Sequence, residues 1–208
     1  MITIAMTDVA GGAFQRDTTA INTSSVGAFR ISTTEITRAQ FLHFMGEDPS
    51  EAGISGTMND PVQRVNWYHA IAFCNKLSLF EGLEPVYTDS VIDWNVLKFS
   101  EIPTAPTTAW DAVTANRSAT GYRIPTEMEW MWAAMGARDA NGAGHTKGFA
   151  GDIGSEDISD YAWYAANSNN ETHSVKTKSA NELGLFDMSG NVWEMDLGSV
   201  TPTIQQAP

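Results

Sequence analysis

The sequence predicts an α+β fold that is rich in loops, with few short helices and short antiparallel strands. Three observations lead there. The helical patterns are brief, and each carries its own start and stop signals. Between them lie long polar stretches dense in Gly, Thr, Asn and Asp, without repeats or low-complexity linkers. Aromatic residues, among them 7 Trp and 9 Phe, provide anchors that can pin such loops to a core. The chain has 208 residues, 42% hydrophobic and 18% charged, which suits a single domain with a sizeable core and excludes a disordered composition.

Val9–Phe14 and Gly27–Ser32 read as strands flanking the turn-rich DTTAINTSS. Thr37-Arg38-Ala39-Gln40 has capping-box spacing; Phe41, Phe44 and Met45 give the following helix an apolar face, and Gly46 stops it. Asn66 is an N-cap for a second helix, in which Trp67, Ala70, Ile71, Cys74 and Leu77 share a face; Gly82 and Pro85 close it. Thr126-Glu127-Met128-Glu129 is another capping box, followed by Trp130, Ala133, Ala134 and the terminator Gly136. Residues 88–121 read as a long loop excursion anchored by Trp94 and Trp110 and returning through a strand, Tyr122-Arg123-Ile124.

The composition excludes several functions. Asp and Glu number 25 against 12 Lys and Arg, a net charge of −13, which repels phosphate backbones and argues against a nucleic-acid partner. No apolar run is long enough to span a bilayer, and the opening MITIAMTDVAGGAF has neither the basic start nor the apolar stretch of a signal peptide. The single cysteine, Cys74, allows no intrachain disulfide and no cysteine zinc cage. No Ser-His-Asp arrangement, phosphate loop or dinucleotide motif is present; the Gly-rich NGAGHTKG lacks the strand-to-helix context of one.

Four segments stand in order: FRISTTEITRAQFLHFMG, PVQRVNWYHAIAFCNKLS, GYRIPTEMEWMWAA and NELGLFDMSGNVWEMD. Together they resemble the formylglycine-generating-enzyme family, also called sulfatase-modifying factors. The resemblance implies a single domain over residues 1–208 with a variant of the C-type lectin fold, in which long loops are normal. The finer likeness, through FRxSxxEITRxQF and YRxPTEMEWMWAAMGA, is to bacterial and phage members, some of them variable proteins of diversity-generating retroelements. Those proteins display diversified residues near the C-terminal end of the scaffold.

The family's oxidases use two cysteines beyond the GNVWEW motif to bind copper and oxidise a substrate cysteine. Here Glu194 leads into Met195, Asp196 and LGSVTPTIQQAP, with neither that pair nor an RGGSW-like stretch. Copper, which needs soft sulfur ligands, is therefore not expected. The expectation is a non-catalytic domain that binds or displays an unidentified protein or small-molecule ligand, with an oxidase lacking its catalytic cysteines in this sequence as the alternative. Nothing in the sequence fixes the oligomeric state. The family also holds calcium around the GNVWE turn, which by position implies the side chains of Asp187 and Glu194 and the carbonyls of Gly190 and Val192 as ligands. Calcium takes mixed carboxylate and carbonyl oxygens from one compact loop. The competing reading makes Asp187 a cap of its own turn and pairs Glu194 with a cation. The acidic GDIGSEDISD lacks EF-hand spacing and reads as a solvated loop. His43, His69, His145 and His173 form no metal-spaced set and read as surface or turn residues. Trp163, Tyr164 and Trp193 read as core anchors, and Arg123, Glu127 and Glu129 as a charged cluster at a helix start.

Overall fold

In the computed structural model, residues 2–138 and 144–197 are described. The chain opens with a broken antiparallel ribbon. β1 (Met6–Val9) pairs with β4 (Phe29–Ser32), and β2 (Gly12–Gln15) pairs with β3 (Thr23–Val26) between them. The expected single strand Val9–Phe14 is thus two strands, and part of the expected turn DTTAINTSS is β3. The break falls at Ala10–Gly11 because the ribbon's two sides come very close there. A Cβ on Gly11 would lie 2.9 Å from the backbone of Val26, Gly27 and Ala28.

The three main helices follow their sequence signals. In α1 (Arg38–Met45), Thr37 and Gln40 form the capping box and Gly46 takes a left-handed φ of 81°. In α2 (Trp67–Phe80), the Asn66 side chain accepts from the His69 N–H, and the His69 ring accepts in return from the Asn66 N–H. That exchange and a 4.8 Å stack on Phe99 bury His69, contrary to its expected surface placement. α4 (Glu127–Ala134) starts from the Thr126–Glu129 box. Arg123 grips Glu129 with both Nη atoms, at 2.7 and 2.6 Å, which outweighs partial burial and holds the carboxyl below its ordinary range. Among the described residues, no hydrogen bond or ion pair brings Glu127 into that grip.

Residues 88–121 are less irregular than expected. They contain a 3₁₀ turn (Phe99–Glu101), α3 (Thr108–Asp111) and β6 (Thr114–Ala115), which pairs with β5 (Tyr87–Thr88). Trp94 and Trp110 are buried edge to face, 5.6 Å apart, as their anchor role requires. The expected strand Tyr122–Ile124 has no ladder. Ser78 Oγ accepts from the Tyr122 N–H at 2.8 Å and the Tyr87 hydroxyl accepts from the Ile124 N–H at 3.1 Å, so side chains stand where a neighbouring strand would. A further turn of helix, α5 (Ile158–Tyr161), is capped by Asp157.

One core cluster lies between α1 and α2 and under the 88–121 segment, with Phe41 stacked on Phe73 at 5.6 Å. A second joins Val9 and Phe14 to Trp132 and Met135, and a third joins Ala133 to Leu185 and Met188. α4 therefore contributes to both, and through Phe29, Ile31 and Leu183 the ribbon also touches the 181–194 segment directly. Asn181 ties the latter down: its amide donates to the Ala133 carbonyl at 2.8 Å, and its side-chain oxygen accepts from the N–H groups of Leu183 and Leu185.

Asn75, fully buried on α2, donates to the Tyr87 carbonyl at 2.7 Å and accepts from the Tyr87 N–H at 3.0 Å. Asn75→Ala leaves that donor and acceptor buried without partners, at ~1–3 kcal/mol for each orphaned group. A loss of about 2–4 kcal/mol in urea unfolding is expected; a loss below about 1 kcal/mol would show that the clip carries no weight.

Candidate functional site

The Asp187–Glu194 turn packs against α4 on one side and the segment following β4 on the other. Three of its residues take left-handed backbone conformations: Asp187 at φ 59°, Gly190 at 90° and Asn191 at 61°. Asp and Asn tolerate this region better than most residues. Gly190 is required for a second reason, since a Cβ there would sit 2.1 Å from the Trp163 carbonyl oxygen. The same carbonyl accepts from the Asn191 N–H at 2.8 Å. Asn191 then clips the 173 segment: its side-chain oxygen accepts from the His173 N–H and its amide donates to the His173 carbonyl, both at 3.0 Å. His173 stacks on Trp163 at 3.8 Å.

Both proposed carboxylates are present, with partners that the sequence did not suggest. Asp187, 3% exposed, accepts at Oδ2 from the Lys176 N–H at 2.8 Å instead of capping its own turn. Its Oδ1 is buried without a hydrogen-bond partner. Glu194 accepts from the Trp130 indole N–H, and among the described residues it forms no ion pair. Glu194 lines an open cavity of about 560 Å³, so water reaches it from one side while protein surrounds it on the others. That desolvation pushes its carboxyl up to about 7, with the indole opposing and the Asp187 charge adding to the rise. Burial likewise raises Asp187 above the ordinary aspartate range, against the Lys176 N–H.

A third carboxylate, Glu35, was not among the sequence candidates. It lies between β4 and the α1 cap, 8% exposed, and accepts from the Asn191 amide at 2.8 Å and the Val192 N–H at 3.1 Å. Burial raises it well above the usual glutamate range; the charges of Glu194 and then Asp187 raise it further. The only local hint is its place in TTEITRAQ ahead of a capping box, and its partners lie more than 150 residues downstream.

Two buried carboxylates, Asp187 and Glu35, thus lie beside the more exposed Glu194, and none of the three has an ion-pair partner among the described residues, an arrangement that a hard cation would relieve. The carbonyls of Gly190 and Val192 accept no hydrogen bond among the described residues, which leaves them free to coordinate. Among the described residues, no group of three or more His, Cys, Asp or Glu side chains could hold a metal ion. An ion at this turn would therefore need carbonyl oxygens in its shell.

The other candidates fall elsewhere. Trp193 is a correction: it is 51% exposed on the cavity wall because its neighbour Glu194 takes the position against Trp130. Trp163 is partly buried and holds the Lys178 ammonium 4.0 Å over its ring. In the acidic loop, Asp152, Glu156 and Asp157 each accept from local backbone N–H groups at an exposed surface. The Cys74 thiol, partly buried on α2, is pushed up to about 12 by desolvation. The ending 198–208 lies outside the described residues.

A family model described as the sulfatase-modifying factor enzyme 1-like domain matches residues 2–202. The chain belongs to this family. It is 34% identical over 217 residues to a protein of Paenibacillus barcinonensis named chaperone protein LppX, covering 93% of this chain and 72% of that one. Among solved structures it is similar to Treponema denticola variable protein 1, with 36% identity, a TM-score of 0.79, and 94% of this chain and 75% of that one covered. It also shares its fold with CarF, at 24% identity and a TM-score of 0.70 over 92% of this chain and 79% of that one. The α+β, loop-rich architecture with short antiparallel strands is therefore that of the sulfatase-modifying factor family. No helix among the described residues is long and apolar enough to cross a membrane.

Gly190→Ala places a methyl group against the Trp163 carbonyl at a left-handed φ. We expect a loss of more than about 2 kcal/mol in chemical denaturation, from strain plus displacement of the 163 segment. A variant as stable as the parent would show that the turn is free to relax.

Proposed function

We propose that this domain is a non-catalytic scaffold that binds or displays a ligand, in the manner of a diversity-generating-retroelement variable protein. The observation that carries the proposal is the likeness to Treponema denticola variable protein 1 over almost the whole chain. The open cavity beside Trp193, close to the end of the described chain, supports it by offering an aromatic-rimmed surface for a protein or small molecule. The chemistry of the thiol agrees: Cys74 is the one cysteine of the sequence, and burial keeps it protonated, so these residues supply no thiolate pair for copper.

The second reading is a formylglycine-generating oxidase, favoured by the family match. Incubation of the copper-treated protein with a cysteine-containing peptide, followed by mass spectrometry, separates the two. Unchanged peptide is expected, and conversion of cysteine to formylglycine would overturn the display reading.

Within that scaffold, the turn would hold one structural calcium through the carboxylates of Asp187 and Glu194 and the carbonyls of Gly190 and Val192. The support is the unpartnered Asp187 Oδ1, the two carbonyls that accept no hydrogen bond and three carboxylates without an ion-pair partner, all among the described residues. Saturating calcium should raise the melting temperature by several degrees, since ligand at a hundredfold excess over Kd stabilises by about 2.7 kcal/mol. Asp187→Asn and Glu194→Gln should abolish the rise. A midpoint indifferent to both calcium and EDTA would remove the site.

A further inference from the structure

We propose that Glu35 is a positioning residue for the cation site: its carboxylate grips the Asn191–Val192 unit and holds the carbonyls of Gly190 and Val192 in the arrangement that an ion requires. The proposal rests on the calcium reading above and adds to it a residue from the opposite end of the chain.

The geometry is a two-point clamp. Glu35 Oε1 accepts from the Val192 N–H and Oε2 from the Asn191 side-chain amide, at 3.1 and 2.8 Å. The peptide unit is planar, so holding the Val192 N–H fixes the plane of the Asn191–Val192 peptide. That peptide lies between the Gly190 and Val192 carbonyls, so its orientation, together with the φ and ψ of Asn191 and Val192, governs how the two are disposed. The grip on the Asn191 amide fixes the residue whose left-handed φ of 61° reverses the chain at this point.

The clamp stands on a rigid base. The Thr33 carbonyl accepts from the Phe186 N–H at 3.0 Å, and the Thr33 N–H donates to the Ala5 carbonyl at 2.9 Å. Beyond Glu35, the Ile36 carbonyl accepts from the Val62 N–H at 2.9 Å, and the Gln40 side chain accepts from the Thr37 N–H at 2.9 Å. Glu35 therefore projects from backbone fixed on both sides. Each of its oxygens accepts a hydrogen bond from the turn, so its grip bears directly on the backbone that carries the two carbonyls. A buried carboxylate facing Glu194 and Asp187 is a costly choice for a tether, and an ion beside it would lower that cost.

Calcium affinity separates positioning from simple structural support. It would be measured by isothermal titration and by terbium luminescence sensitised by Trp130, in the parent, Glu35→Gln and Asn75→Ala. Glu35→Gln keeps the size of the side chain but turns an amide toward Asn191. We expect a ten- to hundredfold loss of affinity, the range seen when groups orienting metal ligands are changed. Asn75→Ala, destabilised away from the turn, should bind within about twofold of the parent, as distant sites do not couple. If Glu35→Gln lowers the calcium-free melting temperature yet binds like the parent, Glu35 is structural only and the proposal falls. If Glu35→Gln does not fold, Glu35→Asp, which keeps the charge but shortens the reach, should show the same selective loss; parent-like binding overturns the proposal. A parent protein that binds neither ion overturns the calcium reading and this assignment together.

Discussion

Buried peptide groups need hydrogen-bond partners, and a chain with few strands and helices cannot supply them from ladders alone. Side-chain amides carry that load here. Asn75 pairs with both backbone groups of Tyr87, Asn181 closes the end of α4 onto the 183–185 segment, and Asn191 joins the 173 segment to the 187–194 turn. Each amide offers donor and acceptor together, which lets it stand in for one rung of a sheet. The candidate site exists because of this solution: the turn is shaped by Asn191 and Gly190 meeting the Trp163 carbonyl, and α4 is held behind it by Asn181.

The electrostatics follow from that frame. Once the turn is fixed, Asp187 and Glu194 face a region already holding Glu35, and burial sets all three above their ordinary ranges. Taking a carboxylate out of water costs several kcal/mol, and the hydrogen bonds present satisfy only some of the oxygens. Arg123 and Glu129 show the contrast at the start of α4. There a guanidinium fork answers the charge, and the glutamate stays below its usual range. The two sites sit on opposite sides of one balance between burial and partnering.

Local signals were legible in the sequence. Thr37 with Gln40, Asn66, and Thr126 with Glu129 begin helices as their spacing states, because a cap is settled within one turn of chain. Trp94 and Trp110 could be recognised as anchors from size alone. Strands were less legible, because their apolar pattern is the same whether the partner is a strand or a set of side chains. Tyr122–Ile124 has the pattern and pairs with Ser78 and Tyr87 instead. At the site, the motif located Asp187 and Glu194, but Glu35 was invisible, since its role comes from residues more than 150 positions away. Trp193 differs from its expected core placement for a related reason: the contact its neighbour Glu194 makes is with Trp130, a residue on another element.

The bonds from Glu35 to Asn191 and Val192, and from Thr33 to Phe186, also impose an order in time. At synthesis rates of ~5–20 residues per second, the N-terminal ribbon and α1 are made roughly seven to thirty seconds before the residues that lock them. Contacts of such sequence separation form late and slow folding. Until then Glu35 has an aqueous environment and no partner, and the faces of the ribbon and α4 stay uncovered. Opening the 187–194 turn in the finished protein would free Glu35 from Asn191 and Val192, while the ribbon keeps its packing on Trp132. The two distant parts of the chain are thereby coupled in their local stability.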